Sequence, residues 1–271
     1  MLASDAIDDH IRHLTAIGRA KTTRDSARAS LTRWDALLPM GLLIALPEEI
    51  EGLLAEDFPA GTRATYYDTL VRFYRWLAKT ERIDYDPTAG MQRPRVPRQT
   101  RRPPTDAHVA LACERGREPW RLHYRLAAFA GLRCCEIARL YRDDVTRSDG
   151  TLLRGKGGKQ RIVPTPPEVW EMIEPMPAGP ITRKLDGGVA TAAWVSTSGN
   201  AHLEVLGARA TMHGLRRWFA TTALAAGADL RVVQELMGHA SVATTEVYTY
   251  VFDHAKISAV ARMPRLTALT R

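Results

Sequence analysis

A tyrosine near the C-terminal end of the chain, Tyr248, follows a glycine–histidine pair, Gly238-His239, by nine residues. The phenol oxygen of a tyrosine can attack phosphorus or carbon as a nucleophile. Tyrosine is equally a common aromatic residue of protein cores. These residues alone do not distinguish the two roles, so the question is which groups the rest of the chain could supply to Tyr248.

Two segments place an arginine two residues after a glycine, at the start of a predicted helix. In His213-Gly-Leu-Arg216 the histidine and the arginine are three residues apart and share one helix face. A helix N-terminus with an added guanidinium group is a natural phosphate site. Arg133 directly follows Gly131-Leu132, and Glu136, one turn later, could hold a neighbouring side chain in position. Either pair by itself is also compatible with an ordinary surface helix.

A predicted β-hairpin has two lysines, Lys156 and Lys159, in its glycine-rich turn. The turn lacks the spacing of a nucleotide-binding P-loop. A flexible basic hairpin can instead bring a lysine beside a phosphate, although a solvated turn is an equally good explanation. The arms of the hairpin are predicted at residues 151–154 and 161–164.

The positive charge of the chain lies in the middle and in the C-terminal part. The net charge is +8 and the pI is about 9.7, which fits an anionic partner. Residues 1–90 carry more acidic than basic side chains, whereas residues 91–105 contain five arginines and no acid. The prolines of this segment exclude a regular element, so it is predicted to be a linker. Its arginines are candidates for contacts with a phosphate backbone, with a solvated spacer as the alternative: Arg93, Arg95, Arg98, Arg101 and Arg102.

The elements that must position these groups are mostly helical. Apolar residues at helical spacing predict four helices in residues 1–90, at residues 4–19, 23–38, from Pro47, and 62–78. After the linker, helices are predicted at 106–115, 120–131, 133–141, 167–173, 191–200, 213–226, 229–237 and 253–261. Gly238 is predicted to end one of them, and Ser241 to cap a further short helix that begins near it.

The three cysteines and the first residues indicate the compartment. Cys113, Cys134 and Cys135 do not have the spacing of a zinc site or a disulfide framework, which fits a reducing environment. The chain begins without the basic and apolar regions of a signal peptide, and its longest apolar run is far shorter than the ~20 residues of a membrane span. We expect a cytoplasmic protein.

Taken in order, these groups resemble the active site of the tyrosine recombinases, the phage-integrase family. The short sequence motifs around these residues match as well: Gly-Leu-Arg with Glu three residues later, Gly-Lys-Gly before Arg-Ile-Val-Pro, His-x-Leu-Arg, and Leu-Met-Gly-His followed by Thr-Thr-x-x-Tyr. The resemblance covers roughly residues 60–252. It implies a catalytic set of Arg133, Lys156, His213, Arg216, His239 and Tyr248, with Glu136 supporting the arginines.

The resemblance also implies the fold and the partners. The expected fold class is α+β, with an α-helical core-site-binding domain (1–90), the basic linker (91–105) and a mostly helical catalytic domain with a small β-hairpin (106–271), together forming a DNA clamp. Within that family, we expect this chain to be a short form without an arm-binding domain. The implied partners are double-stranded DNA core sites, other protomers in a synaptic tetramer, and an accessory DNA-bending or directionality factor. The implied reaction is the cutting and rejoining of DNA through a 3′-phosphotyrosyl intermediate and a Holliday junction, and it needs no metal or cofactor.

Some positions depart from the family pattern or leave a choice open. Arg217 stands where a second histidine often follows His-x-x-Arg. Lys159 competes with Lys156, which matches the Gly-Lys-Gly word and is preferred, and Tyr250 competes with Tyr248, which has the expected spacing from His239. Two other functions share the pattern: a type IB topoisomerase, which relaxes supercoils without exchanging partners, and an architectural DNA-binding protein that has lost the chemistry.

Overall fold

The computed structural model of the protein describes residues 2–97, 102–154 and 160–238. The chain divides into two units, residues 1–99 and 100–271. The predicted functional division into residues 1–90, 91–105 and 106–271 stays a prediction. The hairpin turn, the Ser241 cap and the helix predicted at 253–261 lie outside the described residues.

Four α-helices form the described part of the first unit. They are α1 (Ala3–Ala16), α2 (Lys21–Leu37), α3 (Pro47–Ala55) and α4 (Ala60–Lys79). Apolar side chains from all four helices meet in one core, in which Trp34, Phe73 and Tyr74 are the largest buried residues. The Tyr74 hydroxyl donates to the carbonyl oxygen of Leu42 at 2.9 Å, so the loop after α2 is tied to α4.

The second unit adds short helices and one hairpin. Its described helices are α5 (Asp106–Arg115), α6 (Trp120–Phe129), α7 (Cys134–Ile137), α8 (Pro167–Ile173), α9 (Ala192–Val205), α10 (Met212–Ala225) and α11 (Leu230–Met237). Strands β1 (Thr151–Arg154) and β2 (Gln160–Val163) pair antiparallel, with Thr151 opposite Val163 and Arg154 opposite Gln160. The predicted hairpin arms are thus confirmed within one residue, and the helices predicted at 106–115 and 167–173 are confirmed to the residue.

Helix α6 lies at the centre of the second unit. Leu122, Tyr124 and Leu126 are fully buried in its main core, and α10 packs against it. Helix α11 then packs on α10 through a small separate cluster, in which Val233 and Met237, one turn apart, contact Ala220. This packing holds the C-terminal end of α11 against α10.

The helix predicted at residues 133–141 is wrong in its length. Helix α7 ends at Ile137, and a 3-10 turn follows only at Arg142–Asp144. A neighbouring segment takes the carbonyl groups that a longer helix would need. The Thr182 hydroxyl donates to the carbonyl of Ile137 at 2.9 Å, and the Ile181 N–H donates to that of Leu140 at 3.0 Å. Tertiary contacts therefore override the local helical pattern.

The described residues are mostly helical with one small antiparallel sheet, which confirms the predicted α+β class. Within these residues, every helix is too short or too polar to cross a bilayer.

Candidate active site

The centre of the candidate site is a buried carboxylate, Glu136, in the short helix α7. Its Oε2 accepts from the backbone N–H of Arg133, the residue before the helix, at 2.8 Å. This contact caps the first turn of α7, as acidic residues at the third helical position commonly do. The Arg133 guanidinium also donates to Oε1 of Glu136, through Nη1 at 3.0 Å. One carboxylate thus fixes both the backbone and the side chain of Arg133.

A second arginine, Arg161 of β2, holds the same carboxylate. Its Nη1 donates to Oε1 of Glu136 at 2.6 Å and its Nη2 to Oε2 at 2.9 Å, a two-point contact between a planar guanidinium and a carboxylate. The prediction from sequence assigned Arg161 no role in the site. Its partner lies 25 residues away in the chain, so no local spacing indicated the contact.

The third arginine, Arg216 of α10, is more deeply buried than the other two. Its side chain is only 3% exposed, and its Nη1 is 3.7 Å from Oε2 of Glu136. It also donates to the carbonyl oxygens of Gly131 and Met237. Gly131 has a left-handed backbone (φ 64°), and an added Cβ would lie 2.6 Å from the ring of Phe219. A glycine is required there, and it brings a carbonyl group to Arg216.

The protonation state of Glu136 follows from these neighbours. Burial alone would raise the pKa of its carboxyl, but the hydrogen bonds from Arg161 and from the Arg133 N–H, with the charges of Arg161 and Arg216, outweigh burial and lower the pKa below its ordinary value. Glu136 is therefore ionised at neutral pH. Three guanidinium groups around one carboxylate leave a local charge of +2, which favours an anionic ligand.

The C-terminal end of α11 docks on the same three arginines. The carbonyl oxygen of Leu236 accepts from Arg161 Nε at 3.0 Å, and that of Gly238 accepts from Arg133 Nη2 at 2.7 Å. Between them, the carbonyl of Met237 accepts from Arg216. Gly238 has the left-handed conformation (φ 57°, ψ 46°) that the sequence predicts at this helix end. The arginines thus hold the last residues of this segment, up to Gly238, which directly precedes His239 in the sequence.

His213 lies in the first turn of α10, one turn before Arg216. The hydroxyl of Thr211 caps the helix by accepting from the Gly214 N–H at 2.9 Å. His213 is exposed, whereas Arg216 is buried. The helix therefore presents an accessible imidazole at its N-terminus while its guanidinium is held inside.

Comparison with known proteins identifies the family. The phage integrase family model matches residues 181–254. The tyrosine recombinase XerD of Ralstonia nicotianae is 30% identical over 269 residues, which cover 86% of this chain and 85% of the relative. The chain belongs to the tyrosine recombinase family. A second relative, the tyrosine recombinase XerC of Mesorhizobium japonicum, is 32% identical, with 78% of this chain and 76% of the relative covered.

Solved structures of recombinases have the same fold. A lambda integrase (75-356) dimer bound to a COC' core site matches with a TM-score of 0.74 at 18% identity, over 89% of this chain and 96% of that one. The integrase from mycobacterium phage Brujita matches with a TM-score of 0.50 at 28% identity, over 98% and 94%. The protein is a site-specific DNA recombinase, which confirms the predicted family and enzyme class. Neither the topoisomerase nor the architectural alternative is favoured.

The described residues contain part of the catalytic set that was predicted for this recombinase. Arg133, Arg216 and Glu136 meet in one cluster, and His213 is on the same helix as Arg216. The remaining predicted site residues lie outside the described residues: Lys156, Lys159, His239 and Tyr248. The catalytic role of each residue stays a prediction.

The candidate DNA-backbone arginines of the linker differ in their surroundings. Arg93 is held by Asp68 of α4 in a two-point contact, with Nε and Nη2 each 2.9 Å from a carboxylate oxygen. Arg95 and Arg102 are exposed, and within the described residues no acidic side chain pairs with them. Arg98 and Arg101 lie outside the described residues. The charge of Arg93 is thus largely neutralised, in contrast to that of Arg95 and Arg102.

Proposed function

We propose that this recombinase cuts and rejoins duplex DNA through a covalent bond between Tyr248 and a 3′-phosphate. One observation supports this most directly: Arg133 and Arg216 converge on Glu136, and both also hold the end of α11, from which the chain continues to His239 and Tyr248. A charge of +2 beside an incoming nucleophile suits a phosphodiester substrate.

The proposed reaction is a transesterification. The Tyr248 oxygen forms a bond to phosphorus while the bond from phosphorus to the 5′-oxygen breaks. The phosphotyrosyl bond keeps the energy of the phosphodiester, so no ATP is consumed. The 5′-hydroxyl of a partner duplex then attacks the same phosphorus, releases Tyr248 and produces a Holliday junction, and a second pair of exchanges resolves the junction.

Two protons must move in the first step. The phenol of tyrosine has an ordinary pKa near 10, so at neutral pH it must lose its proton as it attacks. His213 accepts that proton, and its exposed position at the start of α10 suits this role. Lys156 donates a proton to the leaving 5′-oxygen. Both protons return by the same routes in the religation step.

The arginines act on the charge that grows on the non-bridging oxygens in the transition state. A guanidinium group has five N–H donors, and Arg133 is 35% exposed, so its outer edge can face a phosphate while its inner edge holds Glu136 and Gly238. His239 adds a hydrogen bond to the phosphate. Removal of one such fixed donor typically lowers a rate by about 10²–10³-fold.

The proposed partners are duplex DNA core sites and further copies of this chain in a synaptic tetramer. A lambda integrase tetramer bound to a Holliday junction has been solved, and that fold matches this chain with a TM-score of 0.72. An accessory DNA-bending or directionality factor is a further proposed partner. Phosphate contacts should dominate the affinity, so DNA binding should weaken steeply as the salt concentration rises.

Covalent capture tests the proposal. A randomised pool of nicked duplexes is incubated with the protein, and DNA that stays attached in denaturing gels is recovered and sequenced. We expect an adduct with the wild-type protein, and none with Tyr248→Phe. Tyr250→Phe is the matched control and should retain the adduct. An adduct that survives Tyr248→Phe, or is lost only in Tyr250→Phe, contradicts the assignment of the nucleophile.

Plasmids that carry two captured sites or none then distinguish strand exchange from relaxation. Recombinant products that appear only with two sites support the recombinase mechanism. Relaxation of supercoils on every plasmid, without recombinant products, would instead indicate topoisomerase activity.

A further inference from the structure

All three donor nitrogens of Arg161 make hydrogen bonds, and both of its partners are distant in sequence. Its two Nη atoms bind the two oxygens of Glu136, and its Nε donates to the carbonyl oxygen of Leu236, 75 residues later in the chain. Its side chain is 16% exposed, so it lies mostly inside the unit. It faces inward from β2 although its neighbour Ile162, an apolar residue, is 59% exposed. An apolar residue is usual on the inward face of a strand, so an arginine at this position indicates a specific role.

Arg161 joins the three segments that carry the predicted catalytic groups. Strand β2 continues from the turn that contains Lys156, α7 carries Glu136 and follows Arg133, and α11 leads to His239. Within the described residues, Arg161 is the side chain of β2 that contacts both of the other segments through hydrogen bonds.

Gly238 is packed directly on the guanidinium group of Arg161. A Cβ added at Gly238 would lie 2.8 Å from Nη1 and 3.0 Å from Cζ of Arg161. By contrast, Gly207, which follows α9 with a similar left-handed backbone (φ 71°), has nothing within 4 Å of such an atom. The end of α11 is therefore set against Arg161 both by a hydrogen bond and by close contact.

We infer that Arg161 is a positioning residue of the recombination reaction, which fixes Glu136, and through it Arg133, relative to the end of α11, directly before His239 in the sequence. The inference rests on the proposed function. It adds a residue that acts through its neighbours and does not itself bind the phosphate.

Lysine cannot replace Arg161 in this role. The guanidinium group is a rigid plane with three donor nitrogens, and here its two Nη atoms bind one carboxylate while its Nε binds a carbonyl group. A lysine ammonium keeps the charge but cannot reach the Glu136 carboxylate at two points and Leu236 together. Arg161→Lys therefore removes the hydrogen-bond geometry of the guanidinium group and keeps its positive charge.

The test measures single-turnover formation of the covalent adduct by Arg161→Lys on a captured, nicked duplex. We expect a rate about 10–100-fold below wild type, as for other residues that orient catalytic groups, with a DNA dissociation constant within about twofold of wild type. The matched control is Arg142→Lys. Arg142 lies in the same unit and also donates to two carbonyl oxygens, those of Val145 and Glu174. The Arg142→Lys variant should form the adduct at the wild-type rate.

A second substrate separates positioning from a general loss of structure. In a duplex with a methylphosphonate at the scissile position, the phosphate charge that the arginines must meet is absent. The Arg161→Lys defect should therefore shrink to within about threefold of wild type on that duplex. An equal defect on both substrates, or a wild-type rate on the phosphate substrate, overturns the inference.

Gly238→Ala tests the same contact with Arg161 intact. It should slow adduct formation at least tenfold, whereas Gly207→Ala should not, and equal rates for the two alanine variants would overturn the inference. If the wild-type protein forms no adduct on any duplex, the proposed function fails, and that outcome is distinct from failure of Arg161 alone.

Discussion

Replacement of Glu136 by glutamine should destabilise the protein more than any ordinary surface change. The carboxylate accepts four hydrogen bonds, two at each oxygen: from the backbone and side chain of Arg133, and from two nitrogens of Arg161. A glutamine amide has one oxygen, so its NH₂ end would face two donors instead of accepting from them. Two charge-assisted hydrogen bonds are lost, each worth about 1.5–3 kcal/mol.

The expected loss in the free energy of unfolding is therefore about 3–6 kcal/mol, which overlaps the usual cost of about 3–5 kcal/mol for removing one partner from a buried ion pair. For a unit of this size, such a change lowers the melting temperature by roughly 6–24 °C. Scanning calorimetry of the full chain measures it directly. The control is Glu171→Gln, on an exposed position of α8, which should change stability by less than about 0.5 kcal/mol.

The contribution of Glu136 to the free energy of unfolding should depend on pH. The pKa of Glu136 is lowered in the folded protein, so its stabilising contribution is complete above the ordinary value of about 4.5 and is lost as the pH falls through the lowered value. The difference between wild type and Glu136→Gln should accordingly be largest near pH 7 and shrink in strong acid. A Glu136→Gln protein within about 1 kcal/mol of wild type at pH 7 would refute this account of the cluster.

Two other features lead to measurable predictions. His123 is fully buried in α6, and burial lowers its pKa to about 4, so the free energy of unfolding should fall by about 3 kcal/mol as the pH drops from 6.5 to 4. Urea unfolding should show a smaller loss over this range for His123→Leu, and an equal loss would contradict the prediction. In the linker, Arg95→Ala and Arg102→Ala should each reduce the slope of log K against log salt for DNA binding by about 0.9, whereas Arg93→Ala, whose charge is neutralised by Asp68, should change it less. Equal changes in all three variants would show that DNA displaces Asp68.

Local patterns in the sequence predict elements best where the physical cause is itself local. The proline at the start of α8 and the glycine that ends α11 set their helix boundaries through backbone geometry, and both boundaries are found where the sequence places them. The end of α7 is set instead by hydrogen bonds from Ile181 and Thr182, more than forty residues later. No periodicity in residues 133–141 could reveal those partners.

The same difference between local and long-range causes applies to the residues of the candidate site. Arg133, Glu136 and Arg216 were recognised because they stand in short words shared with a known family. Arg161 stands in such a word too, but the family resemblance assigned the role of its segment to a lysine. The missed signal was the alternation of β2, in which Arg161 is on the inward face with the buried Val163 while Ile162 faces outward. A charged residue on the inward face of a strand requires a buried partner, and Glu136 is that partner.

The way the three arginines are held explains how the cluster can be both rigid and positively charged. A carboxylate for each arginine would fix them equally well, but it would cancel the charge that a phosphate needs. Here one carboxylate serves all three, and the carbonyl oxygens of Leu236, Met237 and Gly238 each accept from a different arginine. These carbonyl groups form the partly negative C-terminal end of α11, so they orient the guanidinium groups without adding a formal negative charge. The same contacts make the position of the end of α11 depend on the three arginines.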